Sequence, residues 1–300
     1  MGRACRVFSG PVALVVLGVV SVPSVPAADP NRELRIGLPA PMFKDVPEAM
    51  VNAAAKPLQK MIQEKSGLTG RIEIFPDYLE LANSIKTGKT DIGVFHGFEY
   101  AWVKDTPGLV PLVVTRPNCG KVQACLVVGP NSKAKSAEDL KGACVAVPQG
   151  CKAHCMMFLE RLRERLPEGV CCPGKPQGLT PEETLNAVLA DTCQAALVDV
   201  ASLIAYQKQY PGLGQQLRVL EQSTELPSAV VVYRRGALDE VTIGRIRRGL
   251  LECVSTPIGK TFAMFWQLNG FEDVTPAYLT LVNRCLEAYP APLAKGNSGP

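Results

Sequence analysis

From Glu33 onward short apolar runs alternate with stretches of helical spacing, and this alternation is broken in only two places. ELRIGLPAP has the composition of a buried strand, residues 47–65 carry helical spacing through Met50, Ala54, Leu58, Met61 and Ile62, and RIEIFP is again strand-like. YLELANSIKTGK follows as a helix closing at Gly88, then TDIGVFHG as a strand running into a loop. Alternation of this kind predicts a parallel sheet with crossovers, hence an α/β fold. It breaks first at Leu109–Pro130, where LVPLVVTRP and VQACLVVGP flank a Cys-Gly turn: two apolar, β-branched runs that carry the chain from one domain to another. SAEDLKG, ACVAVP, CKAHCMMFLERLRERL, PEETLNAVLADTC and QAALVDV then resume the alternation as a second α/β domain. STELPSAVVVYRRG is the second break and reads as the return crossing, and residues 239–289 read as mostly helical, packing back on the first domain.

The predicted plan is a first domain of residues 29–118 plus 224–291, a second domain of residues 119–223 inserted in it, and a disordered tail over 292–300. Two α/β domains joined by two crossing strands make a hinged molecule suited to closing on a small ligand.

The N-terminus MGRACRVFSGPVALVVLGVVSVPSVPAADP has basic Arg3 and Arg6, an apolar run from Val12 to Val22, and small residues to Ala27. This is the layout of a secretory signal over residues 1–28, cut near Ala27 or Ala28. An uncleaved anchor is the alternative, but the run falls short of the roughly 20 residues a spanning helix needs. A periplasmic location follows. The net charge of +4 is spread along the chain, without the basic patch and interleaved aromatics that nucleic acid requires.

Of eleven cysteines, Cys5 leaves with the leader, and an even number in an exported chain favours disulfides. Cys119 with Cys125, across a turn, and Cys253 with Cys285, on neighbouring predicted helices, are candidate bridges. So is Cys151 or Cys155 with Cys171 or Cys172.

The segments DYLELANSIKTGKTDIGVFHGFEYAWV, LVVGPNSKAKSAEDLKGACVAV, ALVDV, STELPSAVVVYRRG and STPIGKTFAMFWQLNGFEDV, in this order, resemble the phosphate/phosphite/phosphonate-binding proteins of ABC transporters. The resemblance implies a two-lobed, type II periplasmic binding fold with the ligand between the lobes. It implies ligand-binding roles for Tyr78, the loop Gly97, Phe98 and Tyr100, the helix start after ACVAVP, and Asp199. The chain departs from the family in that opening loop. The Ser-Thr-Ser-like run is replaced by Gly150, Cys151, Lys152, Ala153 and His154, so phosphonate hydroxyl contacts are lost while helix N-terminal amides remain. Lys152 is expected to replace some of the lost attraction as a point charge.

The chain has only two histidines, His96 and His154, and both fall in loops that this plan turns toward the cleft. Facing it, they would protonate near about pH 6 to 7 and hold an oxyanion more tightly; otherwise each caps local backbone. Tyr78 and Tyr100 read either as ligand contacts or as packing residues, Asp199 as a ligand contact or a helix cap, and Trp102 and Trp266 as packing. Cys151, His154 and Cys155 suggest a second reading, a Cys/His-based metal-binding or redox protein on the same scaffold, although Cys-x-x-His-Cys matches no structural zinc pattern. The sequence lacks the nucleophile elbow, phosphate loop, dinucleotide fingerprint and zinc-protease stretch of common enzymes. The expectation is therefore a monomeric binding protein without catalysis, cofactor or metal, taking a small anionic ligand and serving an ABC transporter permease or a membrane sensor.

Overall fold

The computed structural model describes residues 33–43, 56–60, 62–64, 67–140, 143–163 and 179–292. The leader, the tail beyond 292, and Cys171 and Cys172 lie outside them. Ten strands occur in chain order: β1 (Leu34–Pro39), β2 (Gly70–Phe75), β3 (Ile92–Phe95), β4 (Leu109–Pro117), β5 (Ala124–Val128), β6 (Val145–Ala146), β7 (Ala195–Asp199), β8 (Arg218–Gln222), β9 (Val230–Arg234) and β10 (Leu268–Asp273). They form a six-stranded sheet of order β10-β4-β9-β3-β1-β2 and a four-stranded sheet of order β6-β7-β5-β8. The fold is α/β in two lobes, as the alternation predicts, but only β1 with β2 and β3, and β6 with β7, pair in parallel. The crossing strands β4, β5 and β9 pair antiparallel with their neighbours, so both sheets are mixed.

Helical spacing over 47–65 appears as helix at 56–60 and 62–64. The buried strand expected from ACVAVP shrinks to Val145–Ala146. β8 and β10 are strands that the apolar pattern did not announce. β10 lies inside the region expected to be helical, where Gly270 at φ +111 marks an irregular register against β4. Its pairing with the β4 edge outweighs the local preference of QLNGFED.

Alternation along the strands places one apolar face on each side of each sheet. In β5, Leu126 and Val128 join one cluster while Cys125 and Val127 join another. In β9, Val230 and Val232 face one side and Val231 the other. This overturns two expected disulfides. Cys253 and Cys285 lie on opposite faces of the six-stranded sheet. Cys119 donates its thiol to the Lys121 carbonyl at 2.9 Å while Cys125 is held inside β5, and both are free thiols. A closer pair is Cys144 and Cys193, whose Sγ atoms are 3.6 Å apart.

The chain passes between the sheets after β4 and again after β8. The two crossing segments are bridged to each other, Val122 opposite Leu226, with Leu226 N–H donating to the Val122 carbonyl at 2.9 Å. That bridge is the seam along which the lobes meet.

Candidate functional site

A cleft of about 1050 Å³ opens between the lobes. On the first lobe, β3 ends at Phe95 and delivers His96 as the residue preceding the helix Gly97–Val103. The His96 backbone N–H donates to Glu99 Oε2 at 3.2 Å, which fixes the helix start. Only glycine fits at position 97, because a Cβ there would lie 1.9 Å from the Pro227 carbonyl oxygen of the return crossing. Phe98 stacks parallel to the His96 ring at 5.5 Å, and Trp102 meets Phe98 edge-on at 5.1 Å.

On the second lobe, Gly150 adopts a left-handed φ of +65 that turns the chain from Pro148 toward the helix Ala153–Arg163. Cys155, Met157, Phe158, Leu159 and Leu162 bury that helix's inner face. The first-turn amides of Ala153 and His154 have no acceptor within it. Lys152 Nζ lies 2.5 Å from Asp199 Oδ2, and Asp199 Oδ1 accepts the Ser202 N–H at 3.1 Å. Burial pushes the Asp199 carboxyl up, but the Lys152 ammonium and the hydrogen bonds from Lys152 and Ser202 outweigh it and hold it below its ordinary range. Asp199 thus caps the helix Val200–Gln209 and at the same time neutralises the lysine of the opposite loop.

Nine of the eleven candidate residues line this cleft: His96, Gly97, Phe98, Gly150, Cys151, Lys152, Ala153, His154 and Asp199. Tyr78 and Tyr100 do not. Tyr78 packs on Trp102 at 5.2 Å, and Tyr100 is a buried core residue. The cleft recruits two residues whose importance the sequence concealed. Gln123 stands just ahead of β5 on the outgoing crossing, and Trp266, read as packing, lies in the cleft wall beside Phe262 and Phe265. A polar residue opening an apolar crossing strand is the one signal by which Gln123 could have been found.

Five buried side-chain polar atoms among the described residues lack a hydrogen-bond partner: His96 Nε2, Gln123 Oε1, His154 Nε2, Arg234 Nε and Trp266 Nε1. All but Arg234 belong to the cleft wall. Buried polar atoms are normally paired, and four unpaired ones around a single cavity mark a place prepared for something else.

Both histidines are neutral at physiological pH, a correction to the expected protonation. Burial, then the neighbouring His154, lowers His96 to about 4. Burial is also the main cause for His154, likewise about 4, although Asp199 and a hydrogen bond to the Gln123 carbonyl pull it upward. Burial, then the adjacent Cys151 thiol, pushes the Cys155 thiol well above its ordinary range, so it is no ready thiolate. No group of three or more His, Cys, Asp and Glu side chains among the described residues converges to hold a metal ion, which removes the support for the Cys/His metal reading.

Two lobes, each built on its own sheet with helices, joined by paired crossing segments around an interlobe cleft, define a type II solute-binding protein. The family model of the periplasmic substrate-binding proteins of phosphonate ABC transporters matches residues 42–279. The chain belongs to that family. Among solved structures, it is similar to a Xanthomonas citri protein bound to ATP (TM-score 0.60, 17% identity, 86% of this chain and 96% of that one). It is also similar to the binding component of an ABC phosphonate transporter from Pseudomonas aeruginosa (0.55, 15%, 85% and 85%). A third is PhnD1 of Prochlorococcus marinus in complex with methylphosphonate (0.55, 13%, 87% and 100%). At these identities the likeness is one of fold. No curated protein matches the chain.

Proposed function

We propose that this chain is exported, loses its leader near Ala27 or Ala28, and works as a monomer whose lobes close on a small oxyanion for delivery to an ABC transporter permease or a membrane sensor. Binding rather than catalysis is its task, and nucleic acid is no partner. Its first domain runs over residues 29–118 plus 224–291, with residues 119–223 inserted. In an oxidising compartment the thiols placed to bridge are Cys144 and Cys193. No helix among the described residues is long and apolar enough to cross a membrane.

One observation carries the ligand-binding reading. Unpartnered polar atoms from both lobes and from the hinge crossing converge on one cleft. Beside them lies the Ala153–Arg163 helix N-terminus, whose dipole favours an anion. Isothermal titration of the mature protein with methylphosphonate, phosphate, phosphite and sulfate, paired with small-angle scattering, tests it. Saturable binding of an oxyanion together with a smaller radius of gyration is the expected result. Binding of none of the four and of no larger organic oxyacid, with no compaction, overturns the reading.

A further inference from the structure

The cleft's unpartnered atoms are chemically different, and their difference describes a ligand. Gln123 Nε2 donates to the Ser223 carbonyl at 3.1 Å, which fixes the amide's orientation and leaves Oε1 as an acceptor. His154 hydrogen-bonds the Gln123 carbonyl while its Nε2 has no partner, so that bond falls to Nδ1–H and Nε2 is a second acceptor. Trp266 Nε1–H is a donor and nothing else. A fully ionised oxyanion, which only accepts, would set its lone pairs against those of Gln123 and His154.

The charge of the wall agrees. Lys121 and Lys152 against Asp199 leave one net positive charge among the described residues lining the cleft, with both histidines neutral. That suits a monoanion better than a dianion. Away from the hinge, the wall is apolar and aromatic: Phe262, Phe265, Trp266 and Phe271, with Leu268 beside them. Phe265 is 42% exposed, a large ring presented to the open cleft. A cavity of about 1050 Å³ is far larger than a bare oxyanion fills.

We propose that the cleft takes an organic phosphonate in its singly protonated form, the P–OH donating to His154 Nε2 or Gln123 Oε1, with a ring-sized apolar substituent lying against Phe262, Phe265 and Trp266. The inference rests on the reading of the chain as an oxyanion-binding protein and adds the protonation state and the substituent. Those two acceptor atoms are closed off between the lobes, so the ligand reaches them from the open form and is held as the lobes close.

Three probes decide it: phenylphosphonate, methylphosphonate and benzenesulfonate, titrated calorimetrically into the mature protein between about pH 6 and 8.5, across the second ionisation of a phosphonate, which falls near neutrality. Benzenesulfonate has the same charge and ring but no O–H. The expected order is phenylphosphonate at least about tenfold tighter than methylphosphonate, and benzenesulfonate at least about a hundredfold weaker than phenylphosphonate, because a site built to accept a ligand O–H rejects the analogue without one. Phenylphosphonate affinity should fall about tenfold per pH unit above that ionisation.

The charged or titratable groups around the two histidines are Lys152, Asp199 and Glu99, with the Cys151 and Cys155 thiols beside His154. Of these, Glu99, raised to about 7 by burial, titrates in the window. E99Q must keep the same pH dependence. Q123L and H154F, each first checked by circular dichroism and melting temperature, should lose the preference for phosphonate over sulfonate; if H154F fails to fold, Q123L carries the test alone. Equal binding of sulfonate and phosphonate, or no gain from the phenyl ring, overturns this inference while leaving the oxyanion reading standing. Binding of no oxyacid at all overturns both.

Discussion

Two buried polar clusters sit on the first lobe or at its edge, and they are built in opposite ways. Asp91, completely buried at the start of β3, is enclosed by its partners. Arg35 reaches it with Nη2 at 2.9 Å and Nε at 3.1 Å, the Arg35 backbone N–H donates at 3.1 Å, and Arg234 stands 3.8 Å away. This cluster ties β1, β3 and β9 together. A few residues on, at the other end of β3, His96 is only partly buried as a residue, yet its Nε2 is shut off from solvent and meets no partner, and the same holds for the unpartnered atoms of His154, Gln123 and Trp266 around the cleft. A polar group paired within the protein supports the fold; one left unpaired costs stability until a ligand completes it. With Arg234 Nε the one unpartnered atom on the scaffold side, the contrast separates scaffold from site without reference to any ligand.

The comparison is most open to attack through acid. His96 and His154 have folded values near 4, below the usual 6.5. The unfolded chain therefore binds more protons between those values, and stability is full above pH 6.5 and lost as pH falls toward 4. Each histidine accounts for about 3 kcal/mol of that loss. Glu99 has the opposite sign, since burial raises it from 4.5 to about 7, so its burden on stability is present above pH 7 and relieved as pH falls toward 4.5. The net loss from these three groups is on the order of 3 kcal/mol between pH 7 and 4, and roughly doubles in E99Q. Urea unfolding midpoints across that range measure it, and a flat profile in E99Q would show that the histidines are not buried as neutral rings.

Next in size is the completed cluster. D91A leaves Arg35 and Arg234 without their carboxylate and is expected to lower unfolding stability by about 2 to 3 kcal/mol, at the low side for a broken buried pair because Arg35 is partly exposed. Ligand affinity should be unchanged, since Asp91 does not line the cleft. The finest test uses the two tryptophans. Trp102 Nε1 donates to the Tyr289 carbonyl at 2.7 Å, so W102F is expected to cost about 1 kcal/mol. Trp266 Nε1 has no partner, so W266F should cost nothing or stabilise the ligand-free protein by up to about 1 kcal/mol. Equal losses in the two variants, read as melting temperatures, would erase the distinction between paired and unpaired groups.

Much of this arrangement was legible beforehand because it is local. Apolar periodicity located most strands and helices, and the two β-branched runs marked the crossings. His96 and His154 were identifiable as loop residues because each follows directly on an apolar strand or opens a helix. Where the sequence misled, the deciding contact was distant in the chain. Lys152 looked like a free charge for an anion, yet Asp199, 47 residues away, neutralises it. The strand Leu268–Asp273 looked helical until the β4 edge claimed it. A Cys253–Cys285 bridge was expected between neighbouring helices, and the two faces of a sheet keep those cysteines apart.

By itself the sequence determined the α/β class, the two-lobed connectivity and the family, because strand and helix periods and ordered segment motifs are written along the chain. Only the tertiary structure decided which polar atoms are satisfied and which wait for a partner, that the histidines are neutral, and that the cleft wall is aromatic. Each of these depends on what burial and long-range packing bring within a few ångströms, and no periodicity along the chain encodes that distance.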